Sequence, residues 1–131
     1  MSIVIHHNPD CGTSRNVLEM IKTSGEKPVI IEYLNEGWSR PQLLALFAAA
    51  DLTPRQALRT SKSPAEELGL LDESVSDEAL LDAMLKHPVL VNRPIVCSPK
   101  GVKLCRPSEE VLPLLSGELS EFTKEDGERV K

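Results

Sequence analysis

An α/β fold with a mixed sheet is predicted by three features of the 131 residues: a β-branched run that leads straight into a helix, a second strand-like run one helix later, and a hairpin signal towards the C-terminal end. The first run, Ile3-Val4-Ile5-His6-His7, is short and apolar as a buried strand should be, and Asn8-Pro9-Asp10 stops it. After Cys11, the residues Val17, Leu18 and Ile21 recur at helical spacing, and Gly25 is placed to end that helix. Pro28 to Leu34 then reads as a strand through Val29, Ile30 and Ile31, at the distance a right-handed βαβ unit requires. A parallel strand pair flanking the Cys11 helix is expected.

From Ser39 to His87 nothing reads as a strand. Ser39 or Arg40 opens a helix with Pro41 in its first turn and Leu43, Leu44, Leu46 and Phe47 on its apolar face. Thr53-Pro54 is an N-cap and first-turn pair for a short helix carrying Ala57 and Leu58, with Arg59 at its end. Ser63-Pro64-Ala65-Glu66 has the form of a capping box, and Ser76 caps a last helix whose stripe is Leu80, Leu81, Met84 and Leu85, closed at His87-Pro88. Each helix is too short to make a core alone, so residues 39–87 are expected to be a helical insert in one domain of 131 residues. Pro94 to Cys97 and Val102 to Cys105, joined by Ser98-Pro99-Lys100-Gly101, predict an antiparallel hairpin. A helix burying Val111, Leu112, Leu114 and Leu115 follows, with Pro113 awkwardly placed in it. Residues 117–131 are polar and weakly periodic, which predicts a frayed or surface-laid tail. The order β-α-β, helices, β-β-α resembles the thioredoxin-like architecture.

Composition narrows the function. With 40% apolar and 27% charged residues the chain has the make-up of a soluble globular protein, and no run approaches the ~18 apolar residues of a membrane span. Met1-Ser2 leads directly into the first strand with no secretion signal, so a cytoplasmic location is expected. A net charge of −5 offers no basic stripe for nucleic acid. No Gly-rich phosphate loop and no metal-ligand grouping is present, and the three widely spaced cysteines, Cys11, Cys97 and Cys105, are expected to be free thiols in a reducing compartment.

Cys11 is the residue with chemistry to offer. A thiol at the start of a helix faces unsatisfied N–H groups and the positive end of the helix dipole, which favour the nucleophilic thiolate. Gly12 leaves room beside the sulfur, Thr13 and Ser14 supply hydroxyl donors, and His7 and Arg15 can add positive charge. The plain alternative is a buried structural cysteine. An anionic nucleophile acting on an oxyanion needs fixed cations, and guanidinium groups suit tetrahedral oxyanions. Arg59 ends the short helix, while Arg93 and Arg106 flank the hairpin and should lie near one another. Taken singly, each could be a solvated surface arginine; Arg15, Arg40 and Arg55 have no comparable placement and are read as surface residues.

His7-Asn8-Pro9-Asp10-Cys11-Gly12-Thr13-Ser14-Arg15-Asn16, the Ala57-Leu58-Arg59 helix end, Asn92-Arg93-Pro94-Ile95-Val96 and Leu104-Cys105-Arg106-Pro107-Ser108-Glu109 together resemble the glutathione- and glutaredoxin-coupled arsenate reductases. The resemblance runs into the tail at Phe122-Thr123-Lys124-Glu125-Asp126-Gly127. It implies a thioredoxin-like fold with a helical insertion and Cys11 as the nucleophile that forms a thiolate–arsenic(V) adduct. It also implies that Arg59, Arg93 and Arg106 hold the oxyanion, that His7 lowers the thiol pKa, that Ser14 donates a hydrogen bond to the sulfur, and that Pro94 is a cis-proline. No bound cofactor is implied; glutathione would be a co-substrate and glutaredoxin the partner, with Cys97 and Cys105 as core residues.

Three other readings compete. Arsenate reductases of phosphatase-like fold need an arginine six positions after the nucleophile, where this chain has Val17. A monothiol glutaredoxin-like enzyme fits the C-x-x-S form of Cys11-Gly12-Thr13-Ser14 but has no use for three oxyanion-binding arginines. A redox-sensing regulator that binds RNA polymerase would use a C-x-x-C switch, which Ser14 cannot complete.

Overall fold

The computed structural model describes residues 3–116, 122–124, 127, 129 and 130. The chain forms two compact units, one from Met1–Glu32 together with Arg93–Lys131, the other from Tyr33–Asn92. The first contains β1 (Val4–His7), α1 (Gly12–Thr23), β2 (Val29–Glu32), β3 (Ile95–Ser98) and β4 (Gly101–Leu104). These strands form a mixed sheet in the order β2-β1-β3-β4. β1 and β2 run parallel, with Val4 opposite Val29 and His7 opposite Glu32. β3 is antiparallel to both β1 and β4, with Ile5 opposite Val96 and Cys97 opposite Val102. The parallel pair and the hairpin expected from the sequence are both present, in a thioredoxin-like arrangement.

Periodicity explains how α1 attaches to this sheet. Val17, Met20 and Ile21 fall on one stripe of the helix and are completely buried, and they cluster with Ile3, Ile5 and Val96 from the strands. Cys105, Val111, Leu114 and Leu115 complete the same core. Each large side chain withdrawn from water contributes about 1.5–3 kcal/mol, which is how a helix of this length stays anchored. β2 borders the sheet and leaves Val29 and Ile30 exposed.

Beyond the hairpin, the expected α-helix is a 3₁₀ helix, Ser108–Leu114. Pro113 lies inside it and has no N–H for an α-helical bond, so the segment winds tightly and buries Val111 and Leu114 but not all of Leu112. In the tail, β5 (Phe122–Thr123) pairs antiparallel with β6 (Arg129–Val130), and Lys124 forms an ion pair with Glu109 at 2.5 Å. Of the two expectations for 117–131, frayed or surface-laid, these positions fit the second; the other residues of the tail lie outside those described.

The helical unit begins earlier than the expected position 39. The strand-like run ends at Glu32, and α2 (Tyr33–Glu36) follows, because buried Tyr33 stacks on Trp38 with ring centroids 4.9 Å apart and Gly37, at φ +74°, turns the chain beneath it. In α3 (Arg40–Ala50) and α4 (Pro54–Ala57), Ser39 and Thr53 each make a complete capping box, with Gln42 and Gln56 respectively. Ser76 caps α5 (Asp77–Lys86) through the Ala79 N–H, and α5 buries Leu80, Leu81 and Met84.

The Ser63-Pro64-Ala65-Glu66 box does not start a helix. Ser63 Oγ donates to the Arg59 carbonyl instead, and a single turn is closed by Gly69 at φ +73°. Arg55 then holds the following stretch by donating to the carbonyls of Leu70, Asp72 and Val75, at 2.6, 3.0 and 3.0 Å. Arg55 and Arg40 are thus structural cations; Arg40 pairs with Glu78 and Asp82. Among the described residues no helix is long and apolar enough to cross a membrane.

Candidate active site

The turn between β1 and α1 is built on Asn8. Its carbonyl accepts the Cys11 N–H at 3.0 Å, its Oδ1 accepts the Asp10 N–H at 2.9 Å, and its own N–H donates to Ser14 Oγ at 3.1 Å. Cys11 is the N-cap of α1, in extended conformation at φ −102° and ψ 121°, with its carbonyl accepting the Arg15 N–H to begin the helix. A side chain in that position points across the open N–H groups of the first turn.

Two guanidinium groups close on the sulfur. Arg106 Nη1 stands 3.6 Å from Cys11 Sγ and also donates to the Arg93 carbonyl at 3.0 Å, so the residue at one end of the hairpin is tied to the residue at the other. The Arg93 side chain, itself buried, donates to the same sulfur. Burial is the largest single influence on the Cys11 thiol and pushes its pKa up; the Ser14 backbone N–H, the hydrogen bonds from Arg93 and Arg106 and the charge of Arg93 outweigh it and leave the thiol below its ordinary value. The other cysteines go the opposite way. Burial raises Cys97, and it pushes Cys105 up to about 12.

This cysteine loop and its arginines lie within a stretch, residues 6–114, that matches the model of the ArsC family. The chain belongs to the ArsC family. Arsenate reductase ArsI2 of Synechocystis sp. is 67% identical over 129 residues, covering 98% of this chain and 92% of that one. An arsenate reductase of Escherichia coli is 53% identical over 130 residues, covering 98% and 92%. Among solved structures, an arsenate reductase from Vibrio cholerae matches this ArsC chain with a TM-score of 0.82 at 39% identity, covering 88% of this chain and 98% of that one.

Within the ArsC fold the expected site residues separate into groups. Cys11, Ser14, Arg93 and Arg106 meet at the sulfur. Gly12 and Thr13 form the first turn of α1 and are half-buried. Arg59 belongs to the helical unit, where its N–H donates to the Leu90 carbonyl at 2.7 Å and its Nη1 to Asn92 Oδ1 at 3.5 Å. The Arg93–Pro94 peptide is cis, as the resemblance implied, and so is Arg106–Pro107.

The expected hydrogen bond from Ser14 to the sulfur is present, and the role expected of His7 changes. Ser14 serves the sulfur through its backbone N–H, while its hydroxyl is engaged by Asn8 and by His7 Nδ1, 2.6 Å away. His7 does not bring a ready positive charge, because burial first, with Arg15 and Lys22 adding to it and Glu32 opposing, lowers its pKa. Its place is behind Ser14. Asn8 is the loop residue that the sequence reading passed over; an Asn whose side chain can cap the N–H two residues on was the available signal.

Proposed function

We propose that this chain reduces arsenate to arsenite with Cys11 as nucleophile. One observation carries the reading: the Cys11 thiol has a lowered pKa and takes hydrogen bonds from two guanidinium groups. A thiolate can attack an oxyanion only where its charge and the substrate's are both balanced, which guanidinium groups at the sulfur provide.

In the proposed sequence the Cys11 thiolate forms a bond to arsenic and one arsenic-bound oxygen leaves, protonated, as water. Arg93 and Arg106 hold the remaining oxygens and the charge that builds on them, a task in which the family resemblance gives Arg59 a share. Glutathione then replaces a second oxygen, also lost as water, to give arsenic(V) bonded to two sulfurs. A glutaredoxin thiolate attacks the glutathione sulfur; a mixed disulfide forms, and the pair of electrons from the broken arsenic–sulfur bond stays on arsenic, now arsenic(III). Water releases arsenite and restores Cys11. The external thiols fit the state of the internal ones, since a thiol whose pKa stands at about 12, as for Cys105, is no reductant at neutral pH. The reaction belongs in a reducing cytoplasm, and the reading of the chain as one domain is supported by a family match over residues 6–114 that includes residues of both units.

The test is NADPH oxidation dependent on arsenate, with glutathione, glutaredoxin and glutathione reductase present and each then omitted. Turnover that stops on omission of glutathione or glutaredoxin supports the reading; no turnover with all present sinks it.

A further inference from the structure

His7 is buried, and the charges that face it are few. Its register partner across the parallel ladder is Glu32, the last residue of β2, and such partners sit on one sheet face with their strands about 4.8 Å apart. Arg15 and Lys22 act on it from α1. On the β3 side the ladder ends one residue earlier, at His6 opposite Ile95. Burial opposes a charged ring most strongly; of the three facing charges, Glu32 favours it and Arg15 and Lys22 oppose it.

The balance matters because of Ser14. Its Oγ accepts the Asn8 N–H at 3.1 Å and lies 2.6 Å from His7 Nδ1, and it has one proton to give. While Nδ1 is bare, the hydroxyl donates to the ring. Once Nδ1 carries a proton the ring donates, Oγ accepts twice, and the hydroxyl proton must turn elsewhere. Ser14 is also the residue whose backbone N–H donates to the Cys11 sulfur, so either arrangement is set immediately beside the thiolate.

We propose that Glu32 is a positioning residue for the reaction: its carboxylate, one strand away from the buried His7 ring, sets the pH at which the Ser14 hydroxyl passes from one of these arrangements to the other at the start of α1. Glu32 acts through His7 and has no contact with the sulfur to make. The inference rests on the reading of Cys11 as nucleophile and names a residue that tunes it.

The experiment uses the full chain and the variants Glu32→Gln and Glu32→Asp. His7 ring signals are followed by NMR against pH, and the rate of Cys11 alkylation by iodoacetamide is measured over the same range. Glu32→Gln should lower the proton affinity of His7 by roughly 3- to 10-fold, the effect of removing one partly screened neighbouring charge. The acid shoulder of Cys11 alkylation should move with it, and Glu32→Asp should restore most of both. A His7 midpoint that does not move overturns the proposal. So does a midpoint that moves while the alkylation profile stays put, or a variant whose sole change is a lower Tm. Neither readout needs turnover, so a chain inactive on arsenate would refute the proposed function while leaving the role of Glu32 to be decided on its own signals.

Discussion

Arg106→Gln removes the guanidinium that stands 3.6 Å from Cys11 Sγ. Two unit charges at that separation interact by about 1 kcal/mol in bulk water and by about 5 kcal/mol at an effective dielectric of 20. Cys11 is 8% exposed and Arg106 half-buried, so the pair falls between these limits, within the roughly 1.5–3 kcal/mol of a charge-assisted hydrogen bond. At 1.36 kcal/mol for each pKa unit, the thiol should rise by about one to two units. Iodoacetamide alkylation against pH reads this directly. It reads Cys11 rather than its neighbours, because burial raises Cys97 and holds Cys105 at about 12. Arg106→Lys, which keeps the charge without the planar fork, should fall between the variant and the unaltered chain. Since Nη1 also supports the Arg93 carbonyl, Tm is recorded beside each curve. An Arg106→Gln midpoint that coincides with that of the unaltered chain would refute the electrostatic account of the site.

Cys11→Ser should abolish arsenate turnover while leaving Tm near its starting value; wild-type activity in that variant would assign the nucleophile elsewhere. Arg59→Ala and Arg93→Ala should each lower kcat/KM by roughly 10- to 150-fold, the equivalent of about 1.5–3 kcal/mol of transition-state stabilisation, and an unchanged kcat/KM would remove that arginine from the site. His6, buried in β1, has its pKa lowered by desolvation from 6.5 to about 4. Between those values the unfolded chain binds a proton that the folded chain refuses, so stability should fall as pH drops from about 6.5 to about 4, by about 3 kcal/mol in all, and level off below. Urea denaturation across that range checks this: His6→Gln should flatten that part of the slope, and a slope that survives the substitution would mean another group causes it.

The sheet and the helices were legible where the sequence carried short-range chemistry. Ser39 and Thr53 are each followed three positions on by a glutamine that completes the cap, Ser76 accepts the Ala79 N–H, and the alternation and stripe of Ile3, Ile5, Val17 and Ile21 point one way. Ser63-Pro64-Ala65-Glu66 carries the same local signal and fails, because its outcome is decided by Gly69 and by Arg55, eight positions upstream of Ser63, whose guanidinium takes the carbonyls that follow. The site divides in the same way. Cys11 announced itself by standing at a strand-to-helix junction, whereas its hydrogen bond to Arg106 spans 95 positions and no spacing rule predicts it. The direction of the Ser14 hydroxyl was illegible because Ser14 had two candidates, the sulfur and the ring of His7, and the ring is brought to it by the end of β1 together with the Asn8 N–H, a tertiary arrangement that no local pattern encodes.

The border strand β2 has a bearing on how the polypeptide fares in a crowded cell. Val29 and Ile30 face water at 52% and 41% exposure beside a row of backbone groups that another chain could zip onto, the geometry from which fibres grow. The run is only four residues long, Pro28 at its threshold has no N–H to offer, and Glu32 ends it with a charge. A visiting strand would therefore find only a short, charge-ended edge to grip.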